Sequence, residues 1–232
     1  MKSAEHPQTA RAVAAVESIL DDVYARVGSL RAAVLRADSG GETLSSERLG
    51  GLSELVTDLV TAIPWVGGGG FVAALDMVDQ DHRFWDWWTR IGSTVAVERL
   101  HPPRTSIGDA EYAYESMQWF REGELGRPCV FGPFVDFAGV NQLVILCAEP
   151  VTVNGRFLGV VGADLVVDRF EIQAVRQLRD IPGRAVLVSS ASRVVASNAA
   201  ASFAPGERFD PRGWTATGVD VQRARWTLHT QP

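Results

Sequence analysis

The sequence predicts an α+β protein, and three observations carry that class. Through most of the first 64 positions apolar residues recur at spacings of three and four, the period of a helix. From Phe71 to Val166 they alternate, or run in short blocks broken by glycine, proline and asparagine, as strands do. Asn154-Gly155 then sits between two such blocks and predicts a tight type I′ hairpin turn. The 232 residues, 46% hydrophobic and 22% charged, suffice for one large domain or two small ones.

The first helix is expected from about residue 8 to residue 37. Val13, Val16, Leu20, Val23, Val27, Leu30 and Val34 form a seam three heptads long, and Asp38-Ser39-Gly40-Gly41 ends it. At 1.5 Å per residue such a helix is about 45 Å long, so the seam serves either its own domain or a homodimer. A second helix is expected to follow Ser45 or Ser46 as N-cap, with Leu49, Leu52, Leu55, Val56, Leu59, Val60 and Ile63 on one face. Pro64 and the run Gly67 to Gly70 end it. The glycines lack a following Gly-Lys-Ser/Thr, so they read as a flexible entry to a strand rather than a phosphate loop.

Strands are then expected in FVAALDMV, RFWDWWTR and STVAVERL. A short helix carries Tyr112, Tyr114, Trp119 and Phe120. CVFGPFVDF, NQLVILCAEPVTV and RFLGVVGADLVV give three further strands. A helix from about Asp168 to Arg179 leads to a last hairpin, AVLVSS and RVVASN, turning at Ala191-Ser192. The chain thus divides into helices over 1–64, a sheet-forming core over 65–182, and a hairpin with an irregular tail over 183–232.

Several classes of function are disfavoured. The net charge is −6, the one lysine is Lys2 and the arginines are scattered, so no basic stripe marks a nucleic-acid partner. No run approaches the ~20 apolar residues of a membrane span, and the polar N-terminus is not a secretory signal. Cys129 and Cys147 form no CxxC pair or disulfide framework and read as buried thiols. These features predict a soluble, cytoplasmic protein. The four histidines are too dispersed for zinc. Asp76, Asp79, Asp81, His82 and Asp86 crowd one turn, but it lacks the glycine and terminal glutamate of a calcium loop. No nucleophile elbow is present. No cofactor and no metal are expected.

One residue asks for an explanation. Asp164 lies within NGRFLGVVGADL, which otherwise reads as a buried strand, and a lone buried carboxylate is costly. Side chains alternate along a strand, so Asp164 shares a face with Val160, Gly162 and Val166. If the Asn154-Gly155 hairpin has no bulge, Val153 pairs with Arg156. Asp164 then lies opposite Ile145, Cys147 opposite Gly162, and Glu149 opposite Val160, on the face of Asp164. Gly162 leaves a gap beside the carboxylate. Gap and carboxylate suggest a small polar pocket; the other reading is a structural aspartate bonded to a neighbouring element.

The motifs Trp119-Phe120, GPFVDF from Gly132 to Phe137, Asn154-Gly155 and GVVGADL, in this order and spacing, resemble the PAS-like Cache ligand-sensing domains. The resemblance covers about residues 65–171 and has the long N-terminal helix in place. It implies a central antiparallel sheet with that helix behind it, a ligand pocket on the opposite face, and no enzymatic activity. In one branch a strand aspartate holds the ligand's ammonium, a position matched by Asp164. Tyr112, Trp119, Phe120 and Phe134 match the surrounding aromatic positions, and Asp136 follows in the same motif. Met117 stands where an arginine takes the ligand's carboxylate, and Arg90 is the candidate to replace it. Trp85 and Trp87 share one strand face and read as core, whereas Trp88 lies on the other and is the candidate wall residue.

Two functions follow. One is a non-catalytic sensor of a small amine or amino-acid-like metabolite, dimerising through its first helix and signalling through a downstream protein. The other is a small α/β enzyme with Asp164 as acid or base. Glu149 as a partner for such chemistry is disfavoured, because four residues along paired strands separate the two acids by about 13 Å.

Overall fold

The computed structural model describes residues 7–79, 81–100, 113–137, 141–219 and 224–232. Helix α1 (Pro7–Ala37) runs behind two antiparallel sheets. Helix α2 (Leu52–Ala62), helix α3 (Gln118–Glu124) and helix α4 (Val167–Leu178) complete the helical part. The larger sheet contains β1 (Val66–Ala73), β2 (Trp85–Arg90), β3 (Val97–Arg99), β4 (Cys129–Val135), β5 (Leu143–Val153) and β6 (Arg156–Val166), in the order β3-β2-β1-β6-β5-β4. The smaller holds β7 (Arg184–Val188), β8 (Val194–Ser197), β9 (Thr215–Val219) and β10 (Trp226–Gln231), in the order β8-β7-β10-β9.

The seam of α1 is spent inside its own chain. Val16, Leu20, Val23 and Val27 are each at most 1% exposed and join one core with Ile145, Cys147 and Leu165 of the large sheet and Leu187 and Trp226 of the small one. The homodimer seam expected from the heptads is therefore corrected: a second chain would find these side chains already covered. Val23→Glu is accordingly expected to unfold the protein rather than dissociate it, since it puts an unpaired charge in the core at a cost of several kcal/mol. Thermal melting would check this; folded monomers released from a dimer would contradict it.

The second helix is shorter than its apolar face suggested. Residues 47–49 form a 3-10 turn, Gly50 turns the chain, and Gly51, at φ +94°, starts α2. The glycine run is also not a flexible entry. It lies within the central strand β1, paired on both sides. A Cβ on Gly70 would stand 2.2 Å from the Asp86 carbonyl oxygen, so only glycine lets β2 approach this closely. The tail beyond Pro205 is not irregular throughout: β10 inserts between β7 and β9 and completes the second sheet. Trp226 and Leu228 alternate inward along β10, a strand period too short to stand out in a polar segment.

Candidate functional site

Asp164 lies near the end of β6, the strand that leads directly into α4. The hairpin pairs Val153 with Arg156 as expected, but the register slips where Val151 meets Gly159. Leu158 is the extra residue of a β-bulge, and Gly159 takes it up at φ +142°, a conformation open mainly to glycine. The slip corrects the expected pairs. Asp164 lies opposite Leu146 rather than Ile145, Cys147 opposite Ala163, and Glu149 opposite Val161. Glu149 therefore projects from the helix-side face, away from Asp164.

The same parity sorts the tryptophans. Gly70 pairs with Trp87 on one side and Gly162 on the other, so Trp87 shares the face of Asp164. A Cβ on Gly162 would meet the Trp87 ring at 3.3 Å: the gap read in the sequence is filled by this indole. Trp87 thereby reaches Asp164, and its Nε1–H donates to Oδ2 at 3.1 Å. Trp88, the expected wall residue, pairs with Gly69 on the opposite face, where its Nε1–H donates to Asp86. That is a correction in both directions: Trp87 and Trp85 face the site and Trp88 does not.

Val72, Trp85, Trp87, Trp119, Phe134, Asp136, Leu146 and Asp164 enclose a cavity of about 30 Å³. Trp119 is supplied by α3, Phe134 and Asp136 by β4 and the residue following it. Asp164 is 7% exposed. Burial holds its carboxyl well above the usual carboxylate range, the negative charge of Asp136 pushes the same way, and the Trp87 N–H opposes both. Two acids thus share a small, otherwise apolar space.

The remaining candidates have other places. Phe120 is 1% exposed and stacks edge-on against Trp119 at 5.6 Å and Phe157 at 5.5 Å, supporting the wall from behind. Met117 is the N-cap of α3, half-buried against that aromatic cluster. Arg90 is corrected: its guanidinium donates to the carbonyls of Val60, Val66 and Thr94 and so ties the end of α2 to β2, instead of entering the cavity. Tyr112 lies outside the described residues. Trp87, Trp85, Val72 and Leu146 were missed, because sequence parity alone does not say which strand face meets which neighbour. Burial pushes the Cys129 thiol up to about 12. Among the described residues no group of three or more His, Cys, Asp or Glu is placed to hold a metal ion.

A larger groove of about 620 Å³ lies between the start of α2 and β2. Both arginines in its walls are paired, Arg99 with Asp86 at 3.0 Å and Arg83 with Glu115, whereas the charged residues lining the Asp164 cavity are Asp164 and Asp136.

This is the PAS-like Cache fold that the sequence motifs resemble, and solved structures share it. The extracellular domain of the histidine kinase designated soHK1S-Z6 matches 95% of the chain and 89% of its own, with TM-score 0.63 and 15% identity. The ligand-binding domain of the Campylobacter jejuni chemoreceptor Tlp3, in complex with L-norvaline, matches 94% and 86%, with TM-score 0.57 and 12% identity. That of the Pseudomonas aeruginosa PAO1 amino acid chemoreceptor PctC, in complex with GABA, matches 94% and 94%, with TM-score 0.55 and 15% identity. In sequence, the methyl-accepting chemotaxis protein TlpQ of Pseudomonas aeruginosa is 33% identical over 92 residues, which are 38% of this chain and 13% of that protein. No protein-family model matches. The neighbours correct one expectation: a cytoplasmic location does not stand against a fold shared with extracellular domains of histidine kinases. No helix among the described residues is long and apolar enough to cross a membrane.

Proposed function

We propose that the chain is a non-catalytic sensory module that binds the ammonium group of a small amine at Asp164. The buried carboxylate of Asp164, held by one indole N–H in a cavity lined by Trp85, Trp87, Trp119 and Phe134, carries this reading. A buried carboxylate needs a positive partner, and a ligand ammonium supplies one. Trp87, Trp119 and Phe134 offer ring faces, each worth roughly 0.5–2 kcal/mol to a cation when close enough. The space beside Asp164, about 30 Å³, admits a small polar head such as an ammonium. Norvaline and GABA, carried by two of the structural neighbours, both bear such a head.

Recognition of an α-carboxylate has less support. Methionine at 117 cannot form the bidentate pair an arginine would, and Arg90, held by backbone carbonyls, does not line the Asp164 cavity. The ligand class is therefore an amine first and an amino acid second. Calorimetric titration with amines and their α-carboxylated counterparts tests this, with the recovered ligand checked by mass spectrometry. Saturable binding of an amine that is recovered unchanged is expected; conversion of the ligand would favour the enzymatic reading. Met117→Arg is expected to shift preference toward the α-carboxylated member of a pair by about ten-fold, the scale of one charge-assisted contact. Equal preference in wild type and variant would count against the role of position 117.

A further inference from the structure

A second pocket, of about 360 Å³, lies further along the same sheet face. Thr89 follows Trp87 by two residues on β2 and Val166 follows Asp164 by two on β6, a step of about 7 Å along the strands. Gly67, Thr89, Arg90, Glu98, Gln142 and Arg169 contribute its walls. We propose that this pocket binds a small, multiply charged anion, a dicarboxylate or a phosphate, between the guanidinium groups of Arg90 and Arg169.

Charge accounting carries the proposal. In a chain of net charge −6, neither arginine forms an ion pair with a carboxylate among the described residues. Arg90 uses its terminal nitrogens on three carbonyls, and its Nε–H is buried without a partner. A guanidinium has five N–H donors, so donor capacity remains. Arg169 is half-buried in the first turn of α4, where no side chain caps the helix. The two cations also disfavour each other: burial, and then the charge of Arg169, lower the pKa of Arg90. An anion between them relieves that repulsion and meets the planar guanidinium of Arg169 together with the remaining N–H donors of Arg90. Glu98 is the one acid lining the pocket; it is exposed on β3 and opposes anion binding from the rim. The backbone carbonyls that hold Arg90 fix its position, so the cost of ordering that side chain is already met in the fold.

The site is independent of the amine cavity, with which it shares no lining residue. The test is calorimetric titration of the full chain with succinate and with inorganic phosphate at constant ionic strength. At least one is expected to bind saturably, and the one that binds tighter assigns the anion class. Arg169→Gln is expected to weaken that binding by about ten-fold or more, the loss of one charge-assisted contact. Glu98→Gln, an exposed change that leaves the core untouched, is expected to strengthen it by about two- to five-fold. Asp164→Asn, which on the amine reading loses its own ligand, is expected to keep anion affinity, so the two assignments fail separately. No saturable binding of either anion, or equal binding by wild type, Arg169→Gln and Glu98→Gln, would overturn the proposal.

Discussion

Asp164→Asn is expected to raise the melting temperature of the ligand-free protein while cutting its affinity for a small amine by about ten- to hundred-fold. Both effects have one origin. The ionised carboxylate is 7% exposed, is held by one indole N–H, and faces the charge of Asp136. Asparagine keeps the shape and an oxygen to accept from Trp87, but removes the desolvation cost and the repulsion. It also removes the charge that an ammonium requires, worth roughly 1.5–3 kcal/mol as a charge-assisted hydrogen bond. A merely structural aspartate would behave oppositely: the substitution would lower the melting temperature and leave amine affinity alone. Melting and titration of this one variant separate the two roles.

The pH dependence is the second large effect. Burial raises the folded pKa of Asp164 above the ordinary aspartate value of 3.8, so over that window the ligand-free folded state binds a proton that the unfolded chain has lost. The stability Asp164 contributes is therefore fully present below about 3.8 and is lost as pH rises through the higher folded value. Amine binding runs the other way. An ammonium pairs with the ionised form, so below the folded pKa affinity should rise by up to about ten-fold per pH unit, with release of one proton per ligand bound. Calorimetry in buffers of different ionisation enthalpy would count that proton. In Asp164→Asn the affinity slope should vanish and the stability slope should lose the Asp164 contribution, keeping that of the other shifted carboxylates such as Asp86 and Glu171. A wild-type affinity that falls with rising pH across this window would contradict the carboxylate–ammonium pair.

How much of this was legible in the sequence depends on the range of the interaction that decides it. Local periodicity and turn chemistry were sufficient for α1, the Asn154-Gly155 turn, the paired strands β5 and β6, and α4. The glycine run failed because its meaning lies in the neighbouring strands: Gly70 is required by the backbone of β2, not by any turn within 67–70. The pairing of Asp164 failed by one residue because a bulge at Leu158 cannot be distinguished from a regular strand by alternation. Trp87 failed for a related reason. WDWW has tryptophans on both faces, and only the Gly70 to Trp87 pairing says which one reaches the carboxylate. The α1 seam shows the opposite error. Its heptads are real, but the partners are the two sheets and helices α2 and α4 of the same chain rather than the first helix of a second chain.

The claim that Asp164 receives a ligand cation is tested most directly at its own carboxyl group. Site-resolved 13C NMR of the Asp164 carboxyl carbon, recorded just below its ligand-free midpoint, reports the protonation state with and without a saturating small amine. The account predicts a mostly protonated carboxyl in the free protein that becomes ionised when the amine binds. A carboxyl whose signal and midpoint are unchanged by a bound amine would contradict it.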